Sequence, residues 1–146
     1  MEKLKYFNIE LDGIDKCGKD SIRPYLFYLE PGKYLCRSRG LISQIAFAKL
    51  YKRNFDWNAI NYVKNTIFVL LTVDKKDWKI RCKITNEPVL PFTFDEMIDA
   101  FQDAVDEIYK RFNLKHFQML KFNTSSCSQY QIASDIITIA NQINKE

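Results

Sequence analysis

The chain has 146 residues, of which 47% are hydrophobic, and its formal net charge is +4. This length fits a single domain spanning residues 1–146, and the apolar content suffices to bury a core, which excludes an intrinsically disordered chain. The charge is too small to indicate nucleic-acid binding by itself, and the longest apolar run, at residues 67–73, is too short to cross a bilayer.

The first half of the chain predicts two strand–helix pairs. Residues 6–11 alternate apolar and polar side chains, as a strand does, and a loop at residues 13–18 follows. A helix is expected at residues 19–29, shortened or kinked by Pro24, which has no backbone N–H to donate. The next predicted elements are a strand at residues 33–37, a helix at residues 41–53, and a loop with a short helix at residues 54–65.

The second half contains the most apolar strand and two helix-start patterns. Residues 66–73 (TIFVLLTV) form a continuous β-branched and apolar run, typical of a strand covered on both faces of a parallel sheet. Thr93 with Glu96 forms a capping-box pattern that opens a long amphipathic helix. Ser128 with Gln131 forms another, which opens the last helix. The remaining predicted elements are a charged helix at residues 74–86 and a strand at residues 117–123.

Strands and helices thus alternate along the chain, which predicts an α/β fold with a small, mostly parallel sheet and helices on both faces. In such sheets, ligands bind at the carboxyl ends of the strands, which meet at one edge. The segments expected at this edge are residues 12–19, 38–40, 74–76 and 123–126. We therefore expect the functional residues to cluster there.

The segment at residues 13–21 (GIDKCGKDS) has the clearest chemical pattern. It matches G-x-x-x-x-G-K, and it departs from the usual motif because Asp20 precedes Ser21 where a hydroxyl residue normally follows the lysine. Glycines let successive backbone N–H groups surround a phosphate, and the following helix presents its positive end to the same anion. The pattern predicts a phosphate-binding loop in which Lys19 adds a charge; the alternative is an ordinary strand–helix turn containing glycine.

Residues 7–21 also resemble the opening of thymidylate kinases and related deoxynucleotide kinases, in which an apolar strand and an acid precede Gly-x-Asp and a Gly-Lys pair. A Gly-Lys-Asp-Thr variant occurs in some phage members of that family. Two later segments add to the resemblance: residues 38–47 (SRGLISQIAF) are similar to the family's Asp-Arg segment, and residues 123–133 are similar to its last strand and the loop beside the adenine. The resemblance implies a P-loop nucleotide-kinase-like three-layer sandwich.

The same resemblance implies phosphoryl transfer from ATP, with Mg²⁺, to a deoxynucleoside monophosphate. It places Asp15 at the acceptor sugar and Arg39 at the acceptor phosphate, and it assigns Asp12 or Asp20 to magnesium and its waters. The residues implied as ATP-binding are Gly13, Asp15, Lys16, Cys17, Gly18, Lys19, Asp20, Ser21, Thr124 and Ser125, and those implied as catalytic are Lys19, Arg39, Arg81 and Asp12.

Arg81 follows the central strand, where such kinases carry a lid whose arginine stabilises the transferring phosphoryl group. Asp77 lies four residues before Arg81, so a simple helical ion pair is an equally weighted alternative. The lone His116 precedes a predicted strand and has no Cys or Ser partner in the local pattern, which indicates a structural or exposed residue.

Two departures from the family leave other functions open. Ser38 stands where the family has an acid that helps to hold magnesium, and only residues 22–37 fill the interval in which full-length relatives close over the acceptor. A catalytically degenerate kinase fold acting as a nucleotide-binding or assembly module is therefore the alternative to an enzyme. A nucleic-acid-binding module using the basic residues 33–53 is a third and weaker hypothesis, because aromatic residues are not interleaved there in a recognisable pattern.

The cysteines are widely spaced, with no CxxC pair, which argues against a zinc site and favours reduced thiols. They are Cys17, Cys36, Cys82 and Cys127. With an N-terminus unlike a signal peptide, we expect a cytoplasmic protein, or one of the host cytoplasm if the phage-like loop reflects a viral source. The expected partner is a nucleotide, a homodimer is compatible with the sequence, and neither a membrane nor nucleic acid is expected.

Overall fold

A computed structural model of the chain describes residues 4–86, 88 and 90–145. The strands are β1 (Asn8–Gly13), β2 (Leu35–Ser38), β3 (Thr66–Thr72) and β4 (Met119–Asn123), and the helices are α1 (Lys19–Leu29), α2 (Leu41–Leu50), α3 (Lys75–Thr85), α4 (Phe94–Arg111) and α5 (Gln129–Lys145). Short 3-10 helices lie at Trp57–Ala59, Val63–Asn65 and His116–Gln118. Strands and helices alternate as the sequence predicts.

The four strands form one sheet in the order β2-β1-β3-β4, and every neighbouring pair is parallel. Helices α1 and α5 pack together as one layer and α2 and α4 pack together as another, so the α/β fold with a parallel sheet is confirmed. In β1, Ile9 and Leu11 alternate with Glu10 and Asp12, and these two carboxylates point to the side of the sheet that α2 covers. All carboxyl ends of the strands meet at one edge.

β3 is the central apolar strand that its composition predicts, because the six residues from Thr66 to Leu71 are all buried. β1 begins and ends two residues later than expected, since Asp12 and Gly13 still pair with Leu70 and Leu71 of β3. The strand therefore carries its register up to the first glycine of the following loop. This pairing fixes where the loop begins.

The helices show how well the local sequence patterns predicted their course and their first turns. α1 continues through Pro24 without a break. The full capping box forms at Thr93 and Glu96, whereas at the start of α5 the Gln131 backbone N–H donates to Ser128 and the Gln131 side chain bonds Asp135 instead.

α2 ends three residues earlier than expected, at Leu50, because Lys52 takes a left-handed φ of 56°. The Arg53 N–H then donates to the carbonyl of Ala48 (2.7 Å), which closes the helix end. Within the described residues, no helix has both the length and the apolarity needed to cross a membrane.

Candidate functional site

The loop between β1 and α1 is wound tightly by two left-handed residues. Lys16 has a φ of 67° and Gly18, which caps α1, has a φ of 98°, a conformation that costs glycine least. The Cys17 N–H donates to the Ile14 carbonyl (3.1 Å) and closes a turn inside the loop. Alternation of left- and right-handed backbone of this kind turns successive N–H groups toward one concave side.

Donors from α3 and from Lys19 occupy the carbonyl groups of the loop. The Trp78 indole Nε1 donates to the Asp15 carbonyl (3.0 Å), and the Arg81 guanidinium donates to the Lys16 carbonyl (3.0 Å). In the described part of the chain, the N–H groups of Asp15, Gly18 and Asp20 donate to no backbone acceptor. The loop therefore holds its carbonyls to the protein and leaves N–H groups for another partner.

Lys19 folds back over the loop that precedes it. Its Nζ donates to the carbonyls of Gly13 (3.2 Å) and Ile14 (3.5 Å), and the residue is only 7% exposed. Because α1 has no side-chain cap, its first N–H groups and the Lys19 ammonium together make the beginning of this helix electropositive. Burial raises the pKa of the neighbouring Cys17 thiol against the opposing charge of Lys19, so Cys17 fills space here as a neutral side chain.

Arg39 lies at the same edge, in the turn between β2 and α2. It is exposed and has a φ of 64°, which is unusual for a residue with a side chain. The Arg39 N–H donates to the Leu11 carbonyl of β1 (3.0 Å), which ties the turn to the strand that leads into the first loop. The two basic residues expected around one site thus follow neighbouring strands.

Two clefts open at this edge and share three residues, Asp15, Lys19 and Arg39. The first, of about 450 Å³, is polar and is also lined by Arg81 and by the first turn of α1. The structure therefore brings Asp15, Lys19, Arg39 and Arg81 to one cleft, as the sequence predicts. The second, of about 380 Å³, adds mostly apolar side chains: it is lined further by Gly13, Ser43, Phe47, Tyr51 and Leu90.

Arg81 is half-buried and bound to two loops. Besides the Lys16 carbonyl, it donates to the Thr124 hydroxyl (3.0 Å) and weakly to the Thr124 carbonyl (3.4 Å). Among the described residues, no ion pair joins it to Asp77, so the helical ion pair considered for Arg81 does not form. Its guanidinium connects the first loop to the loop after β4.

Thr124 and Ser125 stabilise that loop and do not line either cleft. The Thr124 hydroxyl also donates to the Thr72 carbonyl (3.1 Å), and the Ser125 hydroxyl accepts the Asp74 N–H (2.9 Å). The residue from this part of the chain that does line the polar cleft is Gln129. Asp20 and Ser21 line it as well, both exposed in the first turn of α1.

Asp12 lies behind the clefts. Its Oδ1 accepts the N–H groups of Gly40 (2.7 Å) and Ser43 (3.1 Å) and the Ser43 hydroxyl, while its Oδ2 is buried without a hydrogen-bond partner in the described residues. Burial raises the pKa of Asp12, although the bonds from Ser43 and Gly40 and the charge of Lys19 oppose that rise. The residues described contain no cluster of three or more metal-ligating side chains.

Sequence reasoning missed the apolar wall of the second cleft, although the signal was there. Ser43 and Phe47 lie four residues apart on one side of α2, and Tyr51, four residues further, follows its last residue. A further cavity, of about 520 Å³, lies elsewhere, between α2 and α4. Two of its charged lining residues, Lys49 and Asp103, form an ion pair with each other.

His116 is exposed and contacts Phe117, as a structural residue would.

No family model matches this chain, and no curated protein and no solved structure matches it either.

Proposed function

We propose that the chain is a P-loop nucleotide kinase that transfers the terminal phosphoryl group of ATP to a deoxynucleoside monophosphate. The observation that carries the proposal is the pair of adjoining clefts, one polar and one with an apolar wall, that meet at Lys19, Arg39 and Asp15. Phosphoryl transfer needs its donor and acceptor aligned on either side of the moving group, with positive charge where they meet.

The polar cleft suits the donor. The N–H groups of Asp15, Gly18 and Asp20 and the start of α1 would cradle the phosphates of ATP, and Lys19 would turn from the loop carbonyls to the terminal phosphates. The rest of the ATP-binding loop would be formed by Gly13, Lys16, Cys17 and Ser21. Four basic side chains against two acidic ones line this cleft: Lys16, Lys19, Arg39 and Arg81 against Asp15 and Asp20.

Magnesium would bind mainly through ATP oxygens and water, since this ion keeps several waters and takes few protein ligands. Asp20 is the exposed carboxylate that lines the polar cleft at the first turn of α1, so it would meet one of those waters. The ion supplies charge neutralisation on the phosphates when it is bound. Asp12, whose Oδ1 already accepts three donors, lines neither cleft and would act on magnesium only indirectly.

The second cleft suits the acceptor. Phe47, Tyr51 and Leu90 offer apolar surface for a base, and Arg39, which lines both clefts as Lys19 does, would contact the acceptor phosphate. A guanidinium can contact a phosphate through two N–H groups at once. Asp15, which lines both clefts, would contact the sugar hydroxyl.

The alternative is a catalytically degenerate kinase fold that binds nucleotide as part of an assembly. Ser38 favours it, because a hydroxyl stands in place of the family's acid and its Oγ is buried with no hydrogen-bond partner in the described residues. A hydroxyl brings no charge to a hard divalent cation. Retained binding of ATP with no acceptor binding would favour this alternative.

Calorimetric titration with Mg–ATP and with each of the deoxynucleoside monophosphates tests the proposal, together with a coupled assay for ADP release. An enzyme binds both ligands and releases ADP only when both are present. In the same assay, Asp20→Ala should remove magnesium-dependent turnover, and Ser38→Asp in that background should restore part of it. Turnover that ignores Asp20→Ala would refute the placement of magnesium but not the kinase activity.

A further inference from the structure

The turn that carries Arg39 is held by side chains of a strand far from it in sequence. Asp12 Oδ1 accepts the Gly40 and Ser43 N–H groups and the Ser43 hydroxyl, and Glu10 Oε1 accepts the Leu41 N–H (2.9 Å). α2 has no side-chain cap of its own, so these two carboxylates supply the acceptors that its first N–H groups need. We call this set of contacts the β1 clamp.

The β1 clamp fixes a strained residue. A left-handed φ such as the 64° of Arg39 is unfavourable for a residue with a side chain, and it persists only where the surroundings determine it. Here, three consecutive N–H groups, those of Arg39, Gly40 and Leu41, all donate to β1. The backbone of the turn has little freedom to relax.

Gly40 makes the close contact with Glu10 possible. A Cβ at position 40 would lie 2.1 Å from Glu10 Oε1 and 2.4 Å from its Cδ, so the carboxylate occupies the space of the missing side chain. Tyr62 hydrogen-bonds Glu10, and Arg37 acts on it by its positive charge. Glu10 is therefore as firmly placed as the turn that it holds.

Capping alone does not explain this arrangement. A Ser, Asn or Asp at the cap position of α2 would satisfy the helix locally without burying charge. The chain instead buries two neighbouring carboxylates, with Asp12 0% and Glu10 1% exposed, and burial raises the pKa of both. What the β1 clamp achieves beyond capping is a fixed place for Arg39 beside the loop that the same strand leads into.

We infer that Asp12 and Glu10 are positioning residues that hold Arg39 at the junction of the two clefts, ready for the phosphate of the acceptor. This inference rests on the proposed function. It differs from the magnesium role that the family resemblance gives to Asp12, since Asp12 acts here through the turn and through Arg39. Preorganisation of this kind improves binding by removing the cost of ordering a long side chain.

The test compares the affinities of Asp12 and Arg39 variants for deoxythymidine monophosphate and for Mg–ATP. Asp12→Ala should weaken binding of the monophosphate about tenfold, with less than about a twofold change for Mg–ATP. Asp12→Asn keeps an acceptor oxygen and should restore most of the loss. In an Arg39→Ala background, Asp12→Ala should have little further effect, because the two residues act as a unit.

Amide exchange gives a readout independent of function: in Asp12→Ala the Gly40 and Ser43 amides should exchange faster, while the Leu41 amide stays protected by Glu10. Asn8→Ala is the matched control, a buried polar residue on the same face of β1, and should leave monophosphate affinity unchanged. If Asp12→Ala does not fold, Gly40→Ala displaces Glu10 with both carboxylates retained, and it should weaken monophosphate binding.

Multiplicative effects of Asp12→Ala and Arg39→Ala on the monophosphate would overturn the inference and leave the proposed function standing. So would faster exchange at Gly40 and Ser43 with unchanged monophosphate affinity. A parent protein that binds Mg–ATP but no deoxynucleoside monophosphate would instead overturn the proposed function, and the inference would fall with it.

Discussion

The loop between β1 and α1 and the turn between β2 and α2 lie together at the carboxyl edge of the sheet, yet they are specified differently. The loop is wound by its own residues, with Gly18 in a left-handed conformation and Lys19 bonded to the carbonyls of Gly13 and Ile14. Trp78 and Arg81 of α3 then hold two further carbonyls of the loop. The turn that carries Arg39 is specified by Glu10 and Asp12, which lie some thirty residues earlier in the chain.

This difference has a functional consequence under the proposed mechanism. β1 leads directly into the loop for the donor, and through its two carboxylates it also places the arginine for the acceptor. One strand thus sets the distance between the two halves of the site. Changes at Gly18 or Lys19 should weaken the donor more than the acceptor, and changes in the β1 clamp should act on the acceptor.

The largest effect is expected from Lys19→Ala. It removes the charge from the start of α1 and should weaken Mg–ATP binding at least about tenfold, the typical worth of a charge-assisted contact, while circular dichroism shows an intact fold. Lys76→Ala, which removes a charge from an exposed position of α3, is the control and should bind ATP normally. Parental affinity in Lys19→Ala would refute the phosphate-binding loop.

Gly40→Ala should break the β1 clamp sterically. The new Cβ would collide with Glu10, so we expect the free energy of unfolding to fall by about 1–3 kcal/mol, as overpacking does. Urea denaturation measures this loss. If the collision with Glu10 is the cause, the double variant Gly40→Ala with Glu10→Ala should lose less than the sum of the two single losses; full additivity would contradict it.

Arg81→Ala should test whether the loop is as self-sufficient as its sequence suggests. Arg81 ties the Lys16 carbonyl to Thr124, so its removal should loosen the loop and weaken Mg–ATP binding about fivefold, roughly 1 kcal/mol. Monophosphate affinity should not change. Lys83→Ala, exposed on the same helix, is the control. An equal loss of affinity for Mg–ATP and for the monophosphate would show that Arg81 supports both clefts at the carboxyl edge of the sheet.

The elements predicted from sequence were those with local determinants. β3 is marked by its own apolar run, α4 by the capping box at Thr93, and the loop by its glycines and Lys19. The end of α2 could not be predicted, because Lys52 adopts the left-handed conformation there without the glycine that usually marks it.

The tertiary contacts of the site could not be predicted from the sequence for a related reason. In the sequence, Glu10 appears only as a polar position of an alternating strand, and Asp12 only as a carboxylate that the family resemblance assigns to magnesium. Neither pattern indicates the turn that the two residues hold. Arg81 likewise had two interpretations, a lid arginine or half of a local ion pair with Asp77, and neither indicated that it donates to Lys16 and Thr124. Side chains that act across the fold are recognised once the sheet order is known.

The smallest expected effect is a change in how stability depends on pH in Asp12→Asn. Burial raises the pKa of Asp12 in the folded protein, so between the ordinary aspartate pKa of about 4 and the raised value the folded state holds more proton than the unfolded state. The free energy of unfolding contributed by Asp12 is therefore fully present below about pH 4 and falls as the pH rises, by at most about 1.4 kcal/mol per pH unit. Asn does not titrate, so the stability of Asp12→Asn relative to the parent should improve with rising pH across this window.

Urea denaturation of both proteins from pH 4 to pH 8 measures that difference. Glu10, whose pKa is raised by burial and also by the charge of Asp12, is retained in both proteins, so only the part of its titration that depends on Asp12 enters the comparison. Asn8→Ala, on the same strand, should keep a pH profile parallel to that of the parent. A relative stability of Asp12→Asn that declines as the pH rises would mean that the donors from Gly40, Ser43 and Lys19 outweigh burial at Asp12, and that the β1 clamp stabilises the charged carboxylate.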